Sequence, residues 1–474
     1  MVHAYALCGH YLALDADTGA LHLLDELAYE VICRFETQSR QQIVAQLGAR
    51  FDPAQVEACY DEVAQLKAQG QLFTEIDMSA EAPSGEPGPI KAMCLHVAHD
   101  CQLRCRYCFA GTGSFHGTRE FMSAQVGKKA LDFLIAHSQN RKYLEVDFFG
   151  GEPLMNLDVV KELVAYGREL EKKTGKIFRF TITTNAMELD EETMDYFNRE
   201  MFNVVLSVDG RKEVHDAMRP TETGAGSYDT AVANSLKMAK KRGEKSYYAR
   251  GTFTAKNLDF SKDVLHLADL GFEQISVEPV VLPASSPLAL KKEHLPVILN
   301  EYETLLKEYL KRRADGRWFN FFHFYVDVTG GPCVRRRLSG CGAGCEYAAV
   351  TPKGDLYPCH QFVGDPDYKL GDIWNGVTNT ELRDEFKLCN VYARPDCKDC
   401  WARLYCAGGC AANALHATGD IHGVYEYGCE VFRKRIECAL MIKVAESLDP
   451  ELAGRAATAA PANDEDCGDC SSCE

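Results

Sequence analysis

The sequence has no apolar run long enough to span a membrane, so no membrane partner is expected. Residues 1–14 carry Cys, His and Tyr where a secretory signal would have a basic start and an apolar stretch. Positive charge is also short: 52 Lys and Arg stand against 69 Asp and Glu, a formal net charge of −17. Such a chain lacks the basic footprint that nucleic acid demands. The sign suits a basic peptide partner, and it equally serves solubility alone. Cysteine is abundant, with 21 in 474 residues. In a long chain without an export signal this favours metal or redox chemistry over disulfides. Ligand cysteines must be thiolates, so a reducing cytoplasmic location is expected.

The length calls for two or three domains. Residues 1–77 read as one small unit. Strands are expected at 3–7, 11–15 and 21–24, with a turn at Asp17-Thr18-Gly19. Helical patterns cover 25–36, 41–51 and 53–69, the last with Val56, Cys59, Tyr60, Val63 and Leu66 on one face. A closing strand is expected at 72–76. Residues 78–89, MSAEAPSGEPGP, form a linker. From 90 to 315 strand and helix alternate six times, with strands beginning near Lys91, Tyr143, Ile177, Asn203, Tyr247 and Gln274. This alternation specifies an α/β fold with right-handed crossovers, and six units make a partial (β/α)6 TIM barrel. Residues 316–445 form a cysteine-rich domain. Eleven cysteines fall within 333–438, where apolar periodicity fades, so bound metal is expected to replace much of a core. Residues 446–474 end in CGDCSSCE and read as a disordered tail whose Cys467, Cys470 and Cys473 bind metal, mimic a substrate or are inert. Cys8, Cys33, Cys59, Cys94 and Cys438 fit helix or strand interiors as core residues.

Cys101, Cys105 and Cys108 form CxxxCxxC just after the first barrel strand. Three thiolates on a short loop can hold three irons of a [4Fe–4S] cluster and leave the fourth open to a small molecule. Zinc is the other candidate occupant, but zinc loops usually use CxxC pairs and four ligands. Tyr107 precedes the last cysteine and Phe109 follows it. The second strand runs into Gly150-Gly151-Glu152-Pro153, the third ends at Asn185, and the fourth ends in Ser207-Val208-Asp209-Gly210 with Arg219 beyond. Ser276 and Glu278 lie on the sixth. Polar groups at strand C-termini are where barrel active sites are built, although Ser207 and Asp209 also fit a cap or turn.

The loop resembles the radical S-adenosylmethionine (SAM) signature, and the glycine turn resembles that family's GGEP motif. The resemblance implies a SAM-binding [4Fe–4S] cluster on Cys101, Cys105 and Cys108. It implies SAM contacts from Tyr107, Gly150, Gly151, Glu152, Asn185 and Ser207. Glu152 would sit at the SAM amino group and Arg219 at its carboxylate.

Downstream, Cys341, Cys345, Gly354 and Cys359 precede Cys397-x2-Cys400-x5-Cys406-x3-Cys410 and Cys429. This arrangement resembles the SPASM domain, which holds two auxiliary [4Fe–4S] clusters and so brings the expected total to three. The resemblance implies Cys341, Cys359 and Cys410 on the first and Cys397, Cys400, Cys406 and Cys429 on the second. Cys345 either completes the first or leaves it an open iron, and Cys333 and Cys389 raise the same question more weakly. Two structural zincs are the alternative occupants.

The N-terminal unit resembles the winged-helix-like element with which peptide maturases add a leader peptide as an extra strand. A winged DNA-binding unit is the alternative, disfavoured by Asp25, Glu26 and Glu30 on its helices. Across residues 1 to about 445 the chain resembles thioether-forming maturases of the "six cysteines in forty-five residues" (SCIFF) peptides. The stretches that carry the likeness are HAYALCGHYLALDADTGALHLLDELAYEV, HVAHDCQLRCRYCFAGTG and GCGAGCEYAAVTPKGDLYPCHQFVGD. It implies a cysteine-rich precursor peptide as substrate and an electron donor such as flavodoxin or ferredoxin. The implied reaction is abstraction of hydrogen by a 5′-deoxyadenosyl radical, then sulfur-to-carbon bond formation, with the auxiliary clusters carrying an electron away. No general base is assigned. An anaerobic sulfatase (formylglycine) maturase is the alternative chemistry, and a zinc-rich adaptor without activity is a more distant one.

Overall fold

The computed structural model describes residues 1–77, 79, 88–328 and 334–453. The N-terminal unit opens with an antiparallel meander, β1 (Val2–Leu7), β2 (His10–Asp15) and β3 (Leu21–Leu24), in that spatial order. Helices α1 (Glu26–Ile32), α2 (Arg40–Leu47) and α3 (Pro53–Ala68) follow. Each begins where a short polar side chain can accept from an orphan N–H. Asp25 accepts from Ala28, Ser39 and Gln42 form a reciprocal box, and Asp52 precedes Pro53 at the first helical position. Ala13, Val31, Ile43, Val56, Val63 and Leu72 close the core between sheet and helices.

The strand expected at 72–76 does not form. A buried carboxylate takes its place. Asp15 is fully buried and accepts from the backbone N–H groups of Asp17, Thr18 and Thr74 at 3.1, 3.1 and 2.9 Å. The Met1 ammonium donates to the Thr74 carbonyl at 2.8 Å and to Asp17 at 3.0 Å. Side-chain and terminal groups thus satisfy backbone that a strand ladder would otherwise have paired.

The barrel strands are β4 (Ala92–Ala98), β5 (Tyr143–Gly150), β6 (Ile177–Thr184), β7 (Asn203–Ser207), β8 (Tyr247–Phe253) and β9 (Gln274–Pro279), each parallel to the next. The helices between them are α4 (Ala124–His137), α5 (Leu157–Thr174), α6 (Glu191–Glu200), α7 (Lys212–Met218), α8 (Tyr228–Arg242) and α9 (Phe260–Asp269). They cover one face of the sheet with Leu131, Leu163, Phe197, Met238 and Leu267. Helix α10 (Leu295–Ala314) and a short strand β10 (Asn320–Phe321), parallel to β9, complete this part.

The cysteine-rich segment is tied into the same sheet. After α11 (Val334–Ser339), strand β11 (Tyr347–Val350) pairs in parallel with β4. Strands β12 (Asp355–Tyr357), β13 (Gly371–Asp372) and β14 (Gly376–Val377) continue it antiparallel, giving eleven strands in one sheet. Ala349, Val350, Leu356, Phe362 and Phe386 belong to the main apolar core. The expectation that metal stands in for a core is therefore corrected in part. The short helices α12 (Thr380–Lys387), α13 (Pro395–Lys398), α14 (Arg403–Cys406) and α15 (Ala411–Thr418) follow, with Cys397 on α13 and Cys406 on α14, and α16 (Glu426–Leu448) packs along α10. Because α16 runs to Leu448, the chain stays ordered past the boundary expected at 446. Cys333, Cys467, Cys470 and Cys473 lie outside the described residues. Cys94 and Cys438 are buried as expected, whereas Cys33 is exposed at the end of α1 and Cys8 sits half-buried in the β1–β2 turn.

Replacing Asp15 with Ala strands three backbone N–H groups, two of them part-buried and one buried. Asp15→Ala is expected to destabilise the N-terminal unit by roughly 2–4 kcal/mol. The checks are urea unfolding and faster proteolytic cutting within residues 72–77.

Candidate active site

The C-terminal ends of β4 to β9 open into a cavity of about 890 Å3. Its near wall carries Cys101, Cys105 and Cys108 together with Tyr107, Gly150, Gly151, Glu152, Asn185, Ser207 and Arg219. Cys397, Cys400, Cys406, Cys410 and Cys429 line the same cavity. Cys101 and Cys429, far apart in the chain, thus face one space.

The cysteine loop and the glycine turn are fastened backbone to backbone. The Gly151 N–H donates to the Ala98 carbonyl at 2.7 Å and the Glu152 N–H to the Asp100 carbonyl at 2.8 Å. A Cβ at Gly150 would stand 2.1 Å from the Ala98 oxygen, and one at Gly151 2.1 Å from the Asp100 oxygen. Gly150 also has a φ of +132°, which side-chain-bearing residues avoid. The glycines are therefore required by the approach of protein to protein at this point. Glu152 is 1% exposed and accepts from the Thr184 hydroxyl at 2.7 Å and from the N–H groups of Asn185 and Leu154 at 2.8 and 3.1 Å. Burial nevertheless pushes its carboxyl up to about 7. The Asn185 amide reaches back to the loop, 3.7 Å from the Cys101 sulfur.

Asp209, read from sequence as a cap or turn residue, organises the opposite side of the loop. It is fully buried and accepts the Tyr107 hydroxyl at 2.8 Å on each oxygen. The Arg219 Nε stands 3.0 Å from it, and the guanidinium lies over the Tyr107 ring at 5.5 Å. Arg219 was expected at a ligand carboxylate. In the structure its partner is Asp209, because a buried carboxylate without a cation is too costly to keep. Only the position of Asp209 at a strand end hinted at this role. A second charged pair on the cavity wall, Arg250 with Glu278 at 3.3 Å, joins adjacent strands, and Arg250 holds the Glu278 carboxyl down to about 2.

The remaining cysteines fall into two groups. Cys359 has Cys410 and Cys341 as sulfur neighbours close enough to raise its pKa, and Cys406 has Cys429, Cys397 and Cys400. Cys410 thus groups away from Cys406, four residues before it. The Cys345 thiol donates to the Arg383 carbonyl at 3.5 Å. It lines a separate cavity of about 40 Å3 with Cys341 and Cys389. Burial pushes Cys101 and Cys406 up to about 12 and Cys105, Cys345 and Cys429 up to about 11. Such thiols become thiolates only beside a cation. Among the described residues no three of His, Cys, Asp or Glu are drawn together tightly enough to hold one metal ion. A donor set made only of cysteine sulfurs is the kind that iron–sulfur clusters use. The general base left open by the sequence is left open here as well. The buried imidazoles of His96, His99 and His360 cluster beside β4 and are held neutral by burial.

Residues 87–233 match the model of a 4Fe-4S single cluster domain, and residues 341–401 match the SPASM iron-sulfur cluster-binding domain. The chain carries a radical-SAM-type partial barrel fused to a cysteine-rich SPASM domain. It is similar to a cysteine-type anaerobic sulfatase-maturating enzyme of Clostridium novyi, at 26% identity over 67% of this chain and 86% of the relative. A serine-type anaerobic sulfatase-maturating enzyme of Bacteroides thetaiotaomicron is 25% identical over 72% of this chain and 87% of its own length. Among solved structures, anSMEcpe with bound AdoMet overlays with a TM-score of 0.64 at 21% identity, covering 77% of this chain and 97% of that one. Among the described residues no helix is long and apolar enough to cross a membrane.

One titration follows from the barrel interior. Burial, reinforced by Glu145, raises the Asp147 carboxyl from 3.8 to about 7. The folded protein then binds a proton that the unfolded chain releases, so this residue's contribution to stability falls as pH rises through that interval and levels above it. Removing the group in Asp147→Asn is expected to flatten the decline between pH 5 and 7 by on the order of 1–3 kcal/mol. Urea unfolding at the two pH values measures it.

Proposed function

We propose that this protein is a radical SAM enzyme that oxidises a cysteine-containing peptide. The carrying observation is the single cavity that joins the CxxxCxxC loop to the auxiliary thiols. Cys101, Cys105 and Cys108 would hold the first cluster. Cys341, Cys359 and Cys410 would hold the first auxiliary cluster, and Cys397, Cys400, Cys406 and Cys429 the second. When bound, SAM and the first cluster supply a 5′-deoxyadenosyl radical able to take hydrogen from an unactivated carbon. The chain's residues bind, orient and shield. Glu152, poised near 7 and buried, gains its negative charge when an ammonium group arrives beside it. Gly150 and Gly151 hold the turn against the cysteine loop, and Asp209 fixes Tyr107 and Arg219. Asn185 and Ser207 offer polar contacts from the ends of β6 and β7.

Two chemistries on a peptide are consistent with this site. The curated relatives favour the sulfatase-maturase type, conversion of a cysteine or serine to formylglycine, more directly than they favour a thioether. One solved neighbour, at a TM-score of 0.62, holds AdoMet together with a peptide named Cp18Cys. The thioether reading is supported by residues 1–77. A leader peptide adding a strand to this small sheet is its natural use in a peptide maturase. A reduced flavodoxin or ferredoxin is the proposed donor.

Anaerobic incubation of the iron-reconstituted protein with SAM, a reductant and a cysteine-rich peptide separates the outcomes by mass. Loss of two hydrogens per bond, with the cysteine blocked to alkylation, marks a thioether. Exchange of a thiol for an aldehyde marks formylglycine. An unchanged peptide and no 5′-deoxyadenosine overturn the proposal. Cys105→Ala is expected to reduce 5′-deoxyadenosine to background in either case.

A further inference from the structure

We propose that the N-terminal sheet is a structural part of the second auxiliary site, with His3 and Asp17 acting as positioning residues for the segment 400–406. The inference rests on the reading of Cys397, Cys400, Cys406 and Cys429 as cluster ligands. Cys400 and Cys406 border the cavity at the two ends of this segment. Between them Trp401, Arg403 and Tyr405 turn to the N-terminal unit. The Trp401 ring lies flat on His3, with centroids 3.8 Å apart and planes within 3°. His3 stacks in turn on Tyr5 at 5.1 Å. Both are pinned to α16, His3 Nε2 at 3.0 Å from the Glu437 carboxylate and the Tyr5 hydroxyl donating to the Glu437 carbonyl at 3.1 Å.

Two residues further on, Arg403 forms an ion pair with Asp17 across 386 residues of sequence, with both side chains under 10% exposed. The same guanidinium reaches the Cys400 carbonyl at 3.4 Å. Tyr405 and Trp401 pack with Leu14 and Leu21 of the sheet against Val326, Ile436 and Leu440. A buried ion pair yields little net stability for its desolvation cost, and its best-attested use is to fix register. Here the register it fixes is that of a segment bearing two of the four thiols. From the other side Arg433 of α16 donates to the Cys400 sulfur at 3.6 Å. The potential of an iron–sulfur cluster follows its ligand placement, hydrogen bonds and solvent exposure. The two residues therefore act on the cluster through Trp401 and Arg403 without touching it.

The test compares the full-length chain with Asp17→Asn and His3→Ala after anaerobic reconstitution. Iron content, the EPR spectrum of the reduced protein and the midpoint potentials of its signals are the readouts. Asp17→Asn is expected either to lose about one third of the iron, one cluster of three, or to keep it with one auxiliary signal shifted in potential. His3→Ala is expected to shift the same signal, and His3→Phe, which keeps the stacking surface, to restore it at least in part. In every variant the SAM-induced change in the spectrum of the first cluster should persist, which also shows that the barrel has folded. Full iron with unmoved spectra and potentials in both Asp17→Asn and His3→Ala overturns the proposal. If Cys400→Ala and Cys406→Ala in the parent chain leave iron and spectra unchanged, the ligand reading fails instead.

Discussion

The thiols proposed as cluster ligands are placed where water solvates an anion poorly, and much of this architecture answers that cost. Burial raises Cys101, Cys105, Cys406 and Cys429 well above the ordinary thiol range. A cation has to arrive before any of them ionises. The chain meets the cost partly with its own charges: Arg219 stands near Cys105, and Arg433 donates to Cys400. The same reasoning explains why Asp209 takes up Arg219 in the described structure. A buried carboxylate and a buried guanidinium neutralise each other, and Tyr107 is held between them.

Much of the frame was legible in the sequence because its signals are local. The six barrel strands lie where the alternation put them, since each βα unit buries its own apolar stripe. The helix starts in residues 25–53 follow from Asp25, Ser39 and Asp52, whose caps are satisfied within three residues. The motif residues from Cys101 to Arg219 meet in one cavity because parallel strands deliver their C-terminal ends to the same side of the sheet.

What was not legible depends on partners far apart in the chain. The closing strand at 72–76 is replaced by Asp15, whose contact with Thr74 spans 59 residues. Nothing near Tyr347 signals that β11 will pair with β4, more than 250 positions away. Asp209 reads as a turn until Tyr107 and Arg219 are brought to it. Cys345 shows the limit of spacing arguments. It lies four residues from Cys341, yet a backbone carbonyl of Arg383 holds its thiol.

The pairing of β11 with β4 has a consequence for how electrons travel. Four residues of parallel ladder, Tyr347 to Val350 against Ala92 to Leu95, rivet the cysteine-rich segment to the strand that leads into the CxxxCxxC loop. If the thiol groups hold clusters as proposed, this ladder sets the gap between the first cluster and the auxiliary ones when the sheet forms. Tunnelling rates fall steeply with distance, so the same four residue pairs would also set the pace of electron transfer between the two parts.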